Sequence, residues 1–254
     1  MTEKKFQTAV QAPVTPVYNW HRTPAALIRS AHPKQDLRKL SMNANEVTFS
    51  LKEGFKRFKM KLRIDAMETD TSIKMTMTRG PFKSWVHTKT FELLEKDRTA
   101  VADTIEYNLP LGVAGVMIND WEVRRDLERN FDYYHQRLKE DMKRLMTFDK
   151  KRGKRVLISG AHGFVGKQMA AFLEAGGYDV FYLVRHKEQA DNRHIYWNPD
   201  DEEIDTEALT KANPEIVIHL AGSSISKRWT KKYKNYMLSN RAKSARTLSK
   251  ALAG

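Results

Sequence analysis

The chain has 254 residues, 41% of them hydrophobic, which is enough to bury the core of one or two globular domains. It contains no cysteine, which excludes disulfide bonds and thiolate zinc sites. Its net charge of +14 divides evenly, because residues 1–150 carry 27 Lys and Arg against 20 Asp and Glu, and residues 151–254 carry 18 against 11. An excess spread in this way, without a DNA- or RNA-binding motif to focus it, argues against nucleic acid as a partner.

The N-terminus is polar and charged. Its first residues, Met-Thr-Glu-Lys-Lys-Phe, lack the apolar core of a signal peptide. No stretch of the sequence approaches the roughly 18 consecutive apolar residues of a membrane-spanning helix. We therefore expect a cytoplasmic protein that does not enter a membrane.

The first half of the sequence predicts an α+β domain with an antiparallel sheet. Residues 5–14 form a mixed stretch, and residues 16–31 predict a helix interrupted at Pro24. Residues 119–145 carry apolar side chains in steps of three and four, which predicts one long amphipathic helix. Its apolar stripe consists of Leu127, Phe131, Tyr134, Leu138, Met142 and Leu145. Alternation with a period of two predicts five strands separated by polar turns, at residues 47–51, 55–64, 72–77, 85–94 and 99–107.

A strand, a short helix, a run of antiparallel strands and a long closing helix are typical of the helix-grip fold. Four segments resemble the START-like (SRPBCC) superfamily, in the branch found fused ahead of a nucleotide-binding domain. They are residues 79–87 (Arg-Gly-Pro-Phe-Lys-Ser-Trp-Val-His), 91–92 (Phe-Glu), 103–107 and 109–112 (Leu-Pro-Leu-Gly). The resemblance implies a cavity between the sheet and the last helix that holds a lipid, a polyketide or another apolar small molecule.

Four residues of one predicted strand share a face, because Trp85, His87, Lys89 and Phe91 are spaced by two. In one interpretation they line a ligand cavity, where His87 offers a hydrogen bond or a proton. In the other, Trp85 is a core residue and His87 is a hydrogen-bonded or exposed histidine. Lys89 favours the second interpretation, since a lysine is rarely buried unless paired, and it predicts a face partly open to water. No other carboxylates or histidines in this half have the spacing of a metal or acid–base site.

The second half begins after a charged segment at residues 148–154, and we place two domains at residues 1–150 and 154–254. Residues 155–159 predict a buried parallel strand, and residues 164–175 predict a helix that ends at two glycines. Between them lies a glycine-rich turn, residues 160–166, here called the glycine turn. A strand, a tight turn and a helix N-terminus in this order are typical of a site for a dinucleotide pyrophosphate.

Each glycine of this turn has a predicted role. Gly160 allows the tight turn, Gly163 lets backbone amides approach the phosphate oxygens, and Gly166 lets the helix pack close to the strand. The candidate cofactor-binding residues of the turn are Gly160, Ala161, His162, Gly163, Phe164, Val165 and Gly166.

The second predicted strand, residues 179–184, ends at Arg185-His186-Lys187. An acidic residue at this point accepts hydrogen bonds from the ribose hydroxyls of NAD, whereas an arginine suits the 2′-phosphate of NADP. No acid stands at the strand end itself, and Glu188 comes only after the basic residues. The sequence therefore favours NADP, with Arg185 as the main phosphate contact. NAD, beside an ordinary basic strand end, is the alternative.

Further elements predict the first part of a doubly wound parallel sheet, the Rossmann fold. They are strands at residues 194–197 and 215–220 and a helix at residues 206–212. The last of these strands ends in His219-Leu220-Ala221-Gly222. Small residues there let the backbone lie against the adenine and ribose, so Leu220, Ala221 and Gly222 join the candidate cofactor-binding residues.

This half resembles the epimerase-like, atypical extended short-chain dehydrogenase/reductase family, also called the NAD-dependent epimerase/dehydratase family. The segments that carry the resemblance are residues 160–166, 196–199 (Tyr-Trp-Asn-Pro), 219–222 and 228–230 (Arg-Trp-Thr). The resemblance implies oxidoreductase or epimerase chemistry with a nicotinamide dinucleotide, commonly NADP. Members that carry a START-like domain in front are similar to this chain over its whole length.

The resemblance also implies a catalytic Tyr-x-x-x-Lys pair, and this sequence departs from it. No tyrosine within residues 151–254 has a lysine four places on, and the sequence reaches Gly254 before a fifth strand. We expect a cofactor-binding portion without turnover of its own, whose fourth strand is an edge to be covered by a further segment or another chain. The alternative is a non-catalytic module that binds or senses an apolar ligand.

Overall fold

The computed structural model describes residues 1–53, 56–110, 120–148 and 153–253. The chain divides into two compact units, Met1–Lys150 and Lys151–Gly254, here called the first and second units. Gly54 of the polar turn predicted between residues 51 and 55, Leu111 and Gly112 of the START-like segment, and residues 149–152 of the predicted domain boundary lie outside the described residues.

In the residues that the structure describes, the first unit contains a seven-stranded antiparallel sheet and three α-helices. The strands follow the order β1-β7-β6-β5-β4-β3-β2 across the sheet, so the first strand of the chain pairs with the last. The elements are β1 (Thr2–Val10), α1 (Val14–His21), α2 (Pro24–Ser30), β2 (Arg38–Met42), β3 (Glu46–Glu53), β4 (Lys56–Glu68), β5 (Ser72–Arg79), β6 (Ser84–Glu95), β7 (Arg98–Asn108) and α3 (Asp120–Thr147).

All five predicted strands are present, as β3 to β7. The predicted helix at residues 16–31 is two helices, because Pro24 starts α2 and the hydroxyl of Thr23 accepts a hydrogen bond from the Ala26 amide. The sequence analysis missed β2. Its residues, Arg-Lys-Leu-Ser-Met, alternate weakly, and a register shift between Arg38 and Ser41 interrupts its pairing with β3.

Helix α3 buries the predicted apolar stripe. Leu127, Tyr134, Leu138, Met142 and Leu145 are buried, and Phe131 is partly buried. One apolar cluster joins this helix to β7 through Val123, Leu127, Ile105 and Tyr107. Burial of this stripe therefore holds α3 against the sheet.

A buried ion pair connects α2 to α3. The Arg29 Nε donates to Asp141 Oδ2 at 2.8 Å and its Nη2 donates to Oδ1 at 2.5 Å, a bidentate arrangement in which both side chains are almost fully buried. Removing one partner of such a pair leaves a buried charge without its counter-ion. The pair thus makes the α2–α3 contact specific.

The second unit contains a five-stranded sheet with the order β11-β10-β9-β8-β12. Strands β10, β9, β8 and β12 are parallel, and β11 pairs antiparallel with β10. The elements are β8 (Arg155–Ser159), α4 (Phe164–Ala175), β9 (Asp179–Val184), β10 (His194–Asn198), β11 (Glu203–Ile204), α5 (Thr206–Ala212), β12 (Ile216–His219) and α6 (Lys231–Ala253).

Apolar clusters cover both faces of this parallel sheet. One gathers Leu157, Leu183, Ile195 and Trp197 with residues of α5 and α6, and the other gathers Val156, Ile158 and Val180 with residues of α4. β12 forms one edge of the sheet, and the Val217 side chain on it is 36% exposed. The two-residue strand β11 is an element that the sequence analysis missed.

No helix in the described part of the chain is long and apolar enough to cross a membrane.

The buried ion pair predicts a large effect of a single substitution. Asp141→Ala should lower the free energy of unfolding by about 3–5 kcal/mol, because it leaves the Arg29 guanidinium buried without its carboxylate. Urea denaturation of the full chain measures this loss. The matched control is Asp132→Ala, since Asp132 is exposed on the same helix. Equal losses in the two variants would contradict a stabilising role for the buried pair.

Candidate functional site

The glycine turn connects the end of β8 to the start of α4, and two of its glycines are required by the space around them. Gly160 has a φ of 72°, and a Cβ there would lie 2.7 Å from the Leu220 carbonyl carbon and from the Ala221 nitrogen. A Cβ on Gly166 would lie 2.1 Å from the Gly160 carbonyl oxygen. Any larger side chain at either position would push the turn away from β12 or the helix away from the turn.

The N-terminus of α4 lies open beside this turn. Gly163 is the N-cap, without a capping side chain, and the first turn of this fully described helix holds no acidic residue. The Phe164 side chain is 94% exposed and that of Val165 is 58% exposed. Because the first amides of a helix lack intrahelical acceptors and the helix dipole is positive there, this end can bind an anion. His162 is also exposed, whereas Ala161 is buried.

Ser159, the last residue of β8, links the start of the glycine turn to the end of β12 by hydrogen bonds. Its Oγ accepts hydrogen bonds from the Leu220 and Ala221 amides at 3.1 and 3.2 Å. The hydroxyl proton is then directed to His219 Nδ1, 2.6 Å away, and the His219 Nε2 donates to Ser244 Oγ at 3.1 Å. Burial lowers the pKa of His219, in keeping with a neutral ring. The sequence analysis overlooked Ser159, although a hydroxyl residue directly before the glycine turn was the available signal.

The three predicted residues after β12 differ in their surroundings. Leu220 and Ala221 press against Gly160, as described above. Gly222 is exposed, and a Cβ there would meet only the Arg241 Nε, at an ordinary 3.6 Å. The described protein atoms therefore leave room for a side chain at Gly222.

Arg185 lies at the end of β9, where it was expected, and it is about half exposed. Its guanidinium forms an ion pair with Asp200 and a 3.4 Å hydrogen bond with the Asn198 Oδ1. The strand end therefore has an acidic neighbour after all. The sequence analysis missed Asp200 because it lies fifteen residues further along the chain.

A separate open groove of about 810 Å³ lies near β11 and α6. Its lining includes Lys187, Tyr196, Glu202, Thr247 and Lys250. None of its lining residues belongs to the glycine turn or to residues 220–222. We therefore do not assign this groove to the dinucleotide.

A second group of polar side chains lies in the first unit, between the sheet and the helices. We call it the Asp103 cluster. It consists of His21 on α1, His87 and Lys89 on β6, Asp103 on β7, and Tyr134 and His135 on α3. The expectation that Lys89 opens this face to water is wrong, because Lys89 is only 6% exposed and is paired with Asp103. Trp85 is partly buried and packs against two apolar clusters.

Asp103 is the acceptor at the centre of this cluster. Its Oδ1 accepts from the Lys89 ammonium and from His87 Nε2 at 2.7 Å, and its Oδ2 accepts from His135 Nε2 at 3.3 Å. Burial alone would raise the pKa of Asp103, but the Lys89 charge and the two histidine hydrogen bonds hold it well below its usual range. Asp103 is therefore a carboxylate.

A chain of hydrogen bonds continues from Lys89 to α1. The Lys89 ammonium donates to the Tyr134 hydroxyl at 2.7 Å, and Tyr134 lies 2.6 Å from His21 Nε2. The His21 Nδ1 lies 2.7 Å from the Val17 carbonyl oxygen, which can only accept, so Nδ1 carries the proton and Nε2 accepts from Tyr134. Burial, together with the Lys89 charge, holds the pKa of His21 well below its ordinary value. Burial also lowers the pKa of Lys89 and raises that of Tyr134.

No three His, Asp or Glu side chains of the described residues are grouped so that they could hold a metal ion. In the Asp103 cluster, both carboxylate oxygens already receive N–H donors. The cluster is therefore a hydrogen-bond network.

His21 and His87 of this cluster, whose pKa values are lowered by burial, predict a pH dependence of stability. The unfolded chain binds a proton at His21 below its ordinary pKa of 6.5, whereas the folded state resists that proton. The contribution of the neutral His21 ring to the free energy of unfolding is therefore present at pH values above 6.5 and is lost as the pH falls. Between pH 7.5 and 5.5 the loss should be about 1.4 kcal/mol for each histidine that stays neutral when folded.

His21→Gln should remove the share that His21 contributes to this pH dependence. Urea denaturation of the full chain at both pH values measures it. His186→Gln is the control, because the exposed His186 lies in the second unit. A pH dependence that His21→Gln leaves unchanged would show that His21 titrates normally in the folded protein.

Comparison with known proteins connects the glycine turn to a family. Residues 156–253 match the NAD dependent epimerase/dehydratase family. An epimerase family protein of Mycobacterium leprae is 32% identical over 99 residues, which are 39% of this chain and 31% of that protein. An epimerase family protein of Staphylococcus aureus is 30% identical over 98 residues, which are 37% of this chain and 31% of that protein. The chain thus spans about a third of the length of the curated relatives that it matches.

One solved structure extends the similarity in fold to both units. The nucleoside-diphosphate sugar epimerase from Corynebacterium glutamicum has a TM-score of 0.75 at 20% identity, over 98% of this chain and 51% of that one. A START superfamily protein from Mycobacterium smegmatis is a more distant neighbour, with a TM-score of 0.46 at 11% identity over 56% of this chain and 98% of that one. The match of residues 156–253 identifies an epimerase/dehydratase family domain in this chain, and that family implies a nicotinamide dinucleotide as cofactor.

Proposed function

We propose that the second unit is the first part of a Rossmann domain and binds a nicotinamide dinucleotide at the glycine turn. The observation that carries this proposal is the crowding at Gly160 and Gly166, beside the open N-terminus of α4. The two glycines bring the turn against β12 and the helix against the turn. Backbone amides are thereby left to face an anion without a side chain between them.

In this proposal the pyrophosphate lies on the N-terminus of α4, where backbone amides and the helix dipole favour negative charge. Ser159 keeps the end of β12 next to the turn through its bonds to the Leu220 and Ala221 amides. Gly222 stays open, so that the adenosine half of the cofactor can approach the backbone. When bound, a nicotinamide dinucleotide supplies a hydride donor or acceptor.

The preference for NADP is part of the proposal, with Arg185 as the ligand of the 2′-phosphate. Arg185 is half exposed at the end of β9, as that role requires. Its ion pair with Asp200 competes with the phosphate, so NADP must displace the carboxylate or share the guanidinium. Asp200 offers NAD an acceptor for its ribose hydroxyls. The balance between these two residues sets the choice of cofactor.

The chain itself is proposed to bind the cofactor without completing the reaction. The sequence has no Tyr-x-x-x-Lys pair in residues 151–254. Epimerase or oxidoreductase activity is therefore proposed for a whole protein that includes this portion, with an unassigned substrate.

A ligand-binding role is proposed for the first unit, with a helix-grip arrangement of its sheet and α3. The Asp103 cluster favours this role, because it places ionisable groups in the space between the sheet and the helix. A buried ion pair is weak evidence for a role in stability, whereas clustered ionisable groups with shifted pKa values are typical of functional sites.

Isothermal titration of the full chain with NADPH tests the dinucleotide proposal. We expect saturable binding, and we expect Gly166→Ala to weaken it at least about 10-fold, because the added Cβ forces α4 away from the turn. Lys211→Ala, at an exposed position on α5 in the same unit, is the control for a side-chain change that leaves the glycine turn intact. Circular dichroism confirms that each sample is folded. The lack of NADPH and NADH binding by the folded full chain would contradict the proposal.

A pair of substitutions tests the choice of cofactor. Arg185→Ala should weaken NADPH binding about 10-fold and leave NADH binding nearly unchanged, since only NADPH carries the 2′-phosphate. Asp200→Asn should strengthen NADPH binding, because it removes the competing carboxylate from Arg185. Competition titrations with the two cofactors measure both effects. Equal losses for NADPH and NADH in Arg185→Ala would show that Arg185 does not bind the 2′-phosphate.

A further inference from the structure

We propose that His87, held by Asp103, is the hydrogen-bond acceptor of a binding site in the first unit for an apolar molecule that carries a phenolic or enolic hydroxyl. This inference rests on the proposed ligand-binding role of that unit and is independent of dinucleotide binding. It names the polar group that such a ligand must present.

The neutral His87 ring carries its proton on Nε2. Asp103 is ionised and can only accept, so His87 Nε2, 2.7 Å from the Asp103 Oδ1, must carry a proton. Burial lowers the pKa of His87, and the hydrogen bond and charge of Asp103 offset this only in part. At neutral pH the ring is therefore neutral, and its Nδ1 presents a lone pair.

The lone pair on the His87 Nδ1 has no hydrogen-bond partner among the described protein residues. The His21 ring differs, since both of its nitrogens are used, by the Val17 carbonyl and by Tyr134. His135 contacts the same carboxylate at the longer distance of 3.3 Å. Among these three rings, His87 combines a short bond to Asp103 with an available acceptor.

Aromatic side chains lie next to His87. The Phe131 ring lies edge-on to it, with ring centroids 6.0 Å apart, and the Phe6 ring stacks on Phe131 with centroids 4.2 Å apart. The His87 side chain keeps 15% of its surface exposed, whereas Asp103 keeps none. A ligand can therefore reach His87 but not the carboxylate behind it. A site with aromatic side chains and one polar acceptor fits a mainly apolar molecule with one hydrogen-bond donor.

The remaining members of the cluster hold this arrangement in place. Lys89 balances the charge of Asp103, and Tyr134 and His21 hold the ammonium by the hydrogen-bond chain described above. An uncharged hydroxyl is favoured over a carboxylate or an amine, because a second buried charge would disturb a pair that is already neutral overall. The hydroxyl donates to His87 Nδ1 and leaves both charges in their pairing.

Two probes of nearly equal shape separate this inference from the general ligand-binding role. Equilibrium dialysis of the full chain at pH 7.5 is done with 1-naphthol, which has the hydroxyl, and with 1-methoxynaphthalene, which cannot donate. We expect the chain to bind 1-naphthol at least about 10-fold more tightly, because only this probe can donate a hydrogen bond to the His87 Nδ1. His87→Phe should abolish the preference, and His32→Phe should keep it. His32 is the control because it lies in the same unit, and its Nδ1 accepts from the Lys34 amide outside the cluster.

A measurement on the unmodified protein covers the case in which His87→Phe fails to fold. Nitrogen-15 spectra of the histidine side chains should show His87 protonated at Nε2, with an Nδ1 resonance that shifts when 1-naphthol is added. The preference should also decline in acid, as His87 Nδ1 takes up a proton among Lys89, Asp103, His135, His21 and Tyr134. Equal binding of both probes, with the Nδ1 resonance unmoved, would overturn the inference and leave the ligand-binding role intact. Binding of neither probe would overturn both.

Discussion

The close approach of two backbones at Gly160 is the constraint on which the second unit depends. The ends of β8 and β12 meet there so tightly that a Cβ would lie 2.7 Å from the Leu220 and Ala221 backbone. Ser159 makes this approach favourable, because its hydroxyl accepts hydrogen bonds from the Leu220 and Ala221 amides and its carbonyl oxygen also accepts from the Leu220 amide. The open end of α4 is a consequence, since Gly166 packs against the same turn.

The first unit depends on a different constraint, which is the burial of ionised groups away from water. Asp103 is fully buried and is stable as a carboxylate because an ammonium and two imidazole N–H groups surround it. Each further partner is held in turn, from Lys89 through Tyr134 to His21 and a backbone carbonyl. Such networks resist change in any one member, because every removal leaves a buried group unsatisfied.

The sequence predicted what depends on neighbours along the chain and missed what depends on neighbours in space. The glycine turn was recognised because strand, turn and helix follow one another within twelve residues. Asp200 was missed because it reaches Arg185 from beyond the next strand. Lys89 was misjudged for the same reason, although Lys89 and Asp103 lie directly opposite each other in the β6–β7 hairpin. Carrying the register back from the polar turn predicted between residues 94 and 99 would have placed an acid beside that lysine.

The two proposed sites are therefore suited to opposite chemistry. At the glycine turn, backbone amides and a helix N-terminus present donors, and the first turn of α4 has no acidic side chain, so the site suits an anion. At the Asp103 cluster the Lys89 ammonium and the His87 Nε2 already donate to the Asp103 carboxylate. The His87 Nδ1 remains as an acceptor, so the site suits a neutral ligand that donates a hydrogen bond. Because neither ligand satisfies the other site, a dinucleotide and an apolar hydroxyl compound would not compete for the same position. Each proposed site is thus suited to its own ligand by the polar group that it leaves unfilled.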